Sequence, residues 1–451
     1  MTTTSSRAPI AAVAELPSAV ELLQQLIRFD TSNPPGQERE CAVWLKSLLD
    51  DHGIENQILH PRGKPDRCSV VARIEGRGDA PPLLLQGHID VVTVHGQRWS
   101  RDPFGGEIAD GCIWGRGAVD MKGGVTMMLH AMLRAHQSEV PPPGDIILAA
   151  LADEELGGRS GAAFLVQEHP HLFDGVEHAL GELGGFTVHA RGRRFYPIMV
   201  AEKHICRIRV KFLGSGGHGS QIHRDTALTR AARAVRRMER RHPPFKLVDA
   251  TRAMLEAMAE EMSITEAMAL RMAMKPNTAG VALGLMGDRV GRMLEPMLRD
   301  TINPTIIEGG LQENAVPSEV EVLLDCRLLP GSNQSDIVRE VLAVVGENAE
   351  IKVERYEDGP PTVDMALMPY LSNLLEKADP GSKAIPYMVA GGTDAKWFHK
   401  IGIDTYGFTP MRLPPNIEFM ELFHGEDERI PIDALKFGCA LMYEAVSGYR
   451  G

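Results

Sequence analysis

Histidines and carboxylates recur in this sequence immediately after short apolar runs. Leu83-Leu84-Leu85-Gln86 leads into Gly87-His88-Ile89-Asp90, the run Ile146 to Ala152 into Asp153-Glu154-Glu155, and His178-Ala179-Leu180 into Gly181-Glu182. Asp120 lies in the glycine-flanked stretch Gly115 to Gly124, ahead of a helical pattern that begins at Val125. If the apolar runs are parallel strands, their carboxyl ends form one crevice and these side chains meet there. So many carboxylates repel one another unless cations lie among them, which makes divalent metal the economical expectation. Imidazole with carboxylate suits zinc, at about 2.0–2.2 Å per ligand, and cobalt or manganese are substitutes because N/O sites accept several divalent ions. Asp120 is the candidate bridge between two ions, which a shared carboxylate holds about 3.5–4 Å apart. Water between two such ions loses a proton near neutral pH, giving a nucleophile without an activated Ser or Cys. Neighbours leaving a strand end point in different directions, so one of Glu154 and Glu155 can ligate while the other moves protons; Glu154 is the candidate general acid/base.

These side chains need a scaffold, and the hydrophobic pattern supplies one. Ser18 and Glu21 have capping-box spacing ahead of Val20, Leu22, Leu23, Leu26 and Ile27, which recur at helical intervals. A second helix runs through Val43, Leu45 and Leu49 and stops at Gly53, where a left-handed residue is expected. Short strand runs at Ser69 to Ile74, Leu83 to Gln86 and Ile146 to Ala152 alternate with a helical stretch from Val125 to His136. The fold class is therefore α/β, a mixed, mostly parallel sheet flanked by helices.

The middle of the chain differs. Strand patterns at Ile205 to Phe212, Thr305 to Gly309, Glu319 to Leu324 and Glu350 to Arg355 enclose helices at Thr226 to Arg241 and Ser335 to Val345. That is a β-α-β-β-α-β layout, an inserted α+β sandwich. The expected organisation is a flexible tail at 1–17, a first domain at 18–202 and 357–451, and an inserted domain at 203–356 with extra helices over about 245–300. Six arginines between Arg230 and Arg241 read as the solvated face of an amphipathic helix. Met254, Met258 and Met262 form a helical stripe suited to core packing, although methionine also adapts to apolar ligands.

Composition narrows the partners. With 60 acidic and 48 basic residues the formal charge is −12, which disfavours nucleic acid and anionic membrane surfaces. The longest aliphatic run, Ile146 to Ala152, is far short of the roughly 20 residues that span a bilayer. Of the six cysteines the closest in sequence, Cys41 and Cys68, are 27 positions apart, so neither a redox pair nor a thiolate zinc knuckle is present. A reducing, cytoplasmic location is the simpler expectation.

The chain resembles the M20 family of metallopeptidases and aminoacylases, from about residue 18 to 445. The motifs that carry the likeness are Gly87-His88-Ile89-Asp90, Asp120, Asp153-Glu154-Glu155, Gly181-Glu182, Gly216-Gly217-His218-Gly219-Ser220, Asp325-Cys326-Arg327, Gly391-Gly392-Thr393-Asp394 and Phe423-His424-Gly425. The resemblance implies a zinc-dependent exopeptidase-like catalytic domain with a lid domain. It implies two Zn2+, one held by His88, Asp120 and Glu182 and the other by Asp120, Glu155 and His424, with Glu154 as base and Asp90 orienting His88. His218, which alone reads as a turn histidine, is implied to reach the developing oxyanion, often from the other subunit of a dimer. Arg327, which alone reads as a salt-bridge partner of Asp325, and Asn314 are implied to hold a substrate carboxylate, and Gly392 and Thr393 a loop closing over it. The family's frequent Pro after the His218 turn is absent; Gln221-Ile222-His223-Arg224 follows instead.

The expected function is hydrolysis of an amide or peptide bond in an N-acyl amino acid or small peptide with a free carboxylate, by a bridging hydroxide with Glu154 as general base. The implied partners are that small substrate and a second copy of the chain joined through the lid. Two alternatives use the same residues: a dimetal phosphoesterase, for which Arg327 and Asn314 have no purpose, and a metal-dependent binding protein without catalysis, for which Glu154 has none. No His-Glu-x-x-His, Gly-x-Ser-x-Gly or phosphate-loop pattern occurs.

Overall fold

The computed structural model describes residues 15–346, 349–360 and 362–451, so the expected tail lies outside the described residues up to position 14. The chain forms two compact units, one of residues up to 197, 367–384 and 400–451, the other of residues 198–366 and 385–399.

The first unit is built on a mixed sheet with strand order Glu55–Leu59, Ser69–Ile74, Ile146–Leu151, Leu83–His88, His178–Gly181, Asp404–Gly407, after which Arg193–Glu202 and Ser382–Val389 carry the chain across the boundary. Its centre is parallel: Leu83 lies opposite both Ile146 and His178, and Gly407 opposite Gly181. Leu83–His88 and Ile146–Leu151 are buried along their whole length, because helices cover both faces of a parallel sheet; this is why they read as unbroken apolar runs. Their shared direction and register bring His88, the turn after Leu151 and Glu182 to one edge. Helix Lys122–His136 packs on Ile432–Gly448 and Ala19–Arg28. The Ser18–Glu21 capping box is formed, with Glu21 N–H donating to Ser18 Oγ at 3.2 Å. Helix Arg39–Asp51 ends at Gly53, whose φ is +71°.

The second unit carries a four-stranded antiparallel sheet in the order Thr301–Glu308, Glu319–Leu328, His204–Leu213, Ala349–Tyr356. Alternate residues of these strands point into a core with helices Ala227–Arg240 and Gln334–Val345, giving the β-α-β-β-α-β arrangement. Four helices, Asp249–Glu261, Ile264–Ala273, Ala279–Leu285 and Asp288–Leu294, precede the second strand. The methionine stripe grades outward, Met254 buried and Met258 and Met262 half-buried. Residues 385–399 belong to this unit although the inserted domain was expected to end at 356. Thr393 N–H and Oγ1 both donate to Glu202, and Lys396 Nζ faces Glu357 at 3.6 Å. All six cysteines are free and buried. Among the described residues no helix is long and apolar enough to cross a membrane.

Candidate metal centre

Five of the sequence-derived ligands converge in the first unit. His88 Nε2 lies 3.2 Å from Asp120 Oδ1 and 3.6 Å from Glu182 Oε2. His424 Nε2 lies 2.9 Å from Asp120 Oδ2 and 3.2 Å from Glu155 Oε2. Asp120 thus turns one oxygen toward each histidine. Donor atoms about 2.1 Å from a tetrahedral ion stand about 3.4 Å apart, and these separations bracket that value. Glu154 lies beside the first group, with an oxygen within 4.8 Å of donor atoms of His88 and Glu182. His88, Asp120 and Glu182 are buried, whereas the His424 side chain is 44% exposed, which leaves that side open to solute.

The donor set fits divalent cations on two further counts. Asp120 Oδ2 and Glu155 Oε1 are buried without a hydrogen-bond donor; His424 approaches the former closely but outside hydrogen-bond geometry. The residues also draw positive charge. Burial disfavours imidazolium at His88, yet the carboxylates of Asp120 and Glu182 outweigh it and raise its pKa well above the usual value. His424, against the same opposing burial, is pushed up to about 10 by Asp120 and Glu155. Burial and the charge of Asp120 raise Glu155, while the two histidines hold Asp120 low despite its burial.

Asp90 acts through atoms other than those expected. His88 Nδ1 meets the main-chain oxygen of Asp90 at 2.8 Å, while the nearer Asp90 carboxylate oxygen is 3.7 Å away, too far for a hydrogen bond. The carboxylate instead accepts from the N–H groups of Glu154 (3.1 Å) and Glu155 (3.2 Å) and from Asn33 Nδ2 (2.7 Å). It therefore anchors the 3-10 turn Glu154–Leu156 that presents Glu154.

Asp153 and residues outside the motifs complete the support. Asp153 has φ +72°, a conformation that Asp tolerates better than most residues, and its carboxylate accepts from Arg67 Nη2 (2.5 Å) and Ser160 N–H (2.7 Å). Arg67 Nη1 also lies 3.0 Å from Glu38 Oε1. The guanidinium crosses Gly36, where a Cβ would overlap it, so only glycine fits. Glu428, fully buried, accepts from Arg116 and from three main-chain N–H groups of the loop that ends at Asp120.

One guanidinium cannot neutralise Glu38, Asp90 and Asp153 together. Burial, reinforced by Asp90 and opposed by Arg67, pushes the Glu38 carboxyl from 4.5 up to about 8. In the unfolded chain it ionises near 4.5, so its contribution to stability is complete below that pH and is lost as pH rises through about 8. Glu38→Gln is expected to abolish this decline, narrowing the difference in denaturation midpoint between about pH 5 and about pH 8.5. Identical pH dependence in parent and variant would show that Glu38 is ionised throughout.

The second unit holds the remaining sequence-derived residues. Gly217 and His218 pair with Val316 and Ala315, and Gly219 N–H donates to the Asn314 carbonyl at 2.7 Å, so His218 and Asn314 are brought together on adjacent exposed segments. In place of the family's Pro turn, His223 Nε2 meets the His218 carbonyl at 3.0 Å. Arg327 grips Asp325 through two contacts of 2.7 and 3.2 Å, the salt bridge read from the strand end. Gly392 is half-buried, but Thr393 is turned inward: its hydroxyl donates to Glu202 at 2.9 Å and accepts from Ala395 N–H. The Thr393 side chain therefore anchors its loop rather than presenting a group to substrate.

A mostly parallel sheet whose strand ends, together with the loops of Asp120 and His424, gather two histidines and four carboxylates defines a metallohydrolase type of site. Residues 84–448 match the model of Peptidase family M20/M25/M40, and the chain belongs to that family. It is 27% identical over 388 residues to a protein of Dictyostelium discoideum described as probable carboxypeptidase S-like 2, covering 79% of this chain and 69% of that protein. To aminoacylase-1 of Sus scrofa it is 25% identical over 421 residues, 91% of this chain and 90% of the other. The fold is also that of the M20 family metallo-carboxypeptidase Sso-CP2 from Sulfolobus solfataricus, with a TM-score of 0.68, 17% identity and coverage of 96% and 99%.

Proposed function

We propose that this M20 hydrolase cleaves the amide bond of an N-acyl amino acid or small peptide that bears a free carboxylate. The observation that carries the reading is Asp120, with one oxygen toward His88 and the other toward His424, beside Glu154, whose carboxylate lies near His88 and Glu182. His88, Asp120 and Glu182 on one side, and Asp120, Glu155 and His424 on the other, would hold two zinc ions, with cobalt or manganese as substitutes. Such ions supply Lewis acidity toward the scissile carbonyl and acidify water to near neutrality. Glu154 takes the proton of the attacking water and passes it to the leaving amine. The N–H of Ser220 donates to His218 Nδ1 at 3.3 Å, which leaves Nε2 as the nitrogen that can donate to an oxyanion. Asn314 and Arg327 are the proposed carboxylate-binding residues; the planar fork of Arg327 can exchange Asp325 for a substrate carboxylate of the same shape. The exposed Ile306 and Ile307 on strand Thr301–Glu308, at the sheet's edge, support a homodimer through this unit.

A hydrolysis screen of N-acetyl, N-succinyl and long-chain acyl amino acids and dipeptides on metal-quantified protein tests the proposal. The expected outcome is amide turnover that a chelator abolishes and zinc restores. Turnover of phosphate esters alone, or chelator-resistant turnover, overturns it.

A further inference from the structure

The loop that carries Asp120 and the loop that carries His424 are joined by one buried ion pair. Arg116 and Glu428 are 1% and 0% exposed. Glu428 Oε2 accepts from Arg116 Nη1 at 2.7 Å and from Gly117 N–H at 3.0 Å; its Oε1 accepts from the N–H groups of Val119 at 2.7 Å and Asp120 at 3.1 Å. The Glu428 carbonyl also accepts from Gly115 N–H at 2.9 Å. Every acceptor of this residue is thus turned toward the segment that positions Asp120. At Gly117, φ is +88° and a Cβ would stand 2.9 Å from Val91, so glycine is required for the loop to wrap the carboxylate.

The other arm of Arg116 reaches the second loop. Arg116 Nη2 donates to Gln97 Oε1 at 2.6 Å, the guanidinium lies over the Trp99 ring at 5.0 Å, and Gln97 Nε2 donates to the His424 carbonyl at 2.9 Å. His424 has φ +57°, an unfavourable conformation for a histidine that needs fixed neighbours to persist. The Gln97 segment is stapled to the His424 loop again where Arg98 N–H donates to Glu426 and Ser100 N–H to Asp427. His88 and Glu182 face each other at 3.6 Å and are placed by neighbouring central strands, His88 as the last residue of Leu83–His88 and Glu182 as the first after His178–Gly181.

Resting on the two-metal reading above, we propose that Arg116, Glu428 and Gln97 are positioning residues that set the separation of Asp120 and His424, and so the affinity of the metal held by Asp120, Glu155 and His424. The metal held by His88, Asp120 and Glu182 depends on them less, because strand register fixes two of its three ligands.

The test is a zinc titration of metal-free protein against a chromophoric chelator, comparing the parent with Glu428→Gln and Gln97→Ala. The amide nitrogen in Glu428→Gln faces groups that donate rather than accept, so two of the five contacts are lost. The expected result is a loss of about 10- to 100-fold in affinity for one of the two zinc equivalents, the range typical of residues that orient ligands, with the other nearly unchanged. Gln97, half-buried, is replaceable without leaving a buried charge; Gln97→Ala keeps the ion pair and is expected to weaken the same equivalent alone. It decides the matter if Glu428→Gln does not fold. A parent that binds fewer than two zinc ions defeats the two-metal reading itself. A parent that binds two, with folded variants whose affinities are unchanged or fall equally at both sites, overturns the positioning role.

Discussion

Replacing Glu154 with Gln is expected to lower kcat by about 10² to 10⁴, the range for loss of a general acid/base, while both metal equivalents are retained. That is about 3 to 5 kcal/mol of lost transition-state stabilisation. The substitution keeps shape and removes only the ability to take up a proton. The turn should persist, because it is held through main-chain N–H groups by Asp90 and, one residue earlier, by Arg67 and Ser160 on Asp153. Metal content measured alongside rate separates two roles for Glu154, since its carboxylate also lies within reach of His88 and Glu182. A slow variant with full metal is a lost base; a variant that sheds metal identifies Glu154 as a ligand, and normal turnover removes it from the mechanism.

Arg67→Met is expected to destabilise the fold by about 3–5 kcal/mol, because breaking a buried pair strands charge without solvent. Arg67 is the cation in contact with both Asp153 and Glu38, and methionine leaves the Asp153 carboxylate beside Glu38 and Asp90 with that cation gone. Combining it with Glu38→Gln should recover little near pH 7, since burial already holds Glu38 protonated there and the stranded charge is that of Asp153. Denaturant midpoints of the four proteins at constant m-value measure this. A loss below about 1 kcal/mol in the single variant would mean that water reaches the cluster.

The convergence of the candidate ligands was legible because chemistry and strand pattern coincide: His88 and Glu182 end apolar runs and Glu155 follows one, and parallel register does the rest. The β-α-β-β-α-β unit was legible for a similar reason, its strands alternating in hydrophobicity because one face of the sheet is covered. Local pattern fails where partners are distant. Arg116 and Glu428 are 312 positions apart, and Arg67 and Asp153 86, so neither pair leaves a periodic trace. A weak signal existed in an acidic residue four positions after His424 and an arginine between two glycines, both in loops that flank ligands. The inward turn of Thr393 and the division of labour between main chain and carboxylate in Asp90 are matters of side-chain direction, which residue type does not encode.

Strand Asp404–Gly407 lies parallel to His178–Gly181, with the whole second unit made in between. During synthesis the portion through Glu182 emerges early, holding His88, Asp120 and Glu155 without His424, whose imidazole faces the last two. A chain still on the ribosome therefore presents half a cage, and its acidic mouth stays open until the last strands thread back beside those made first.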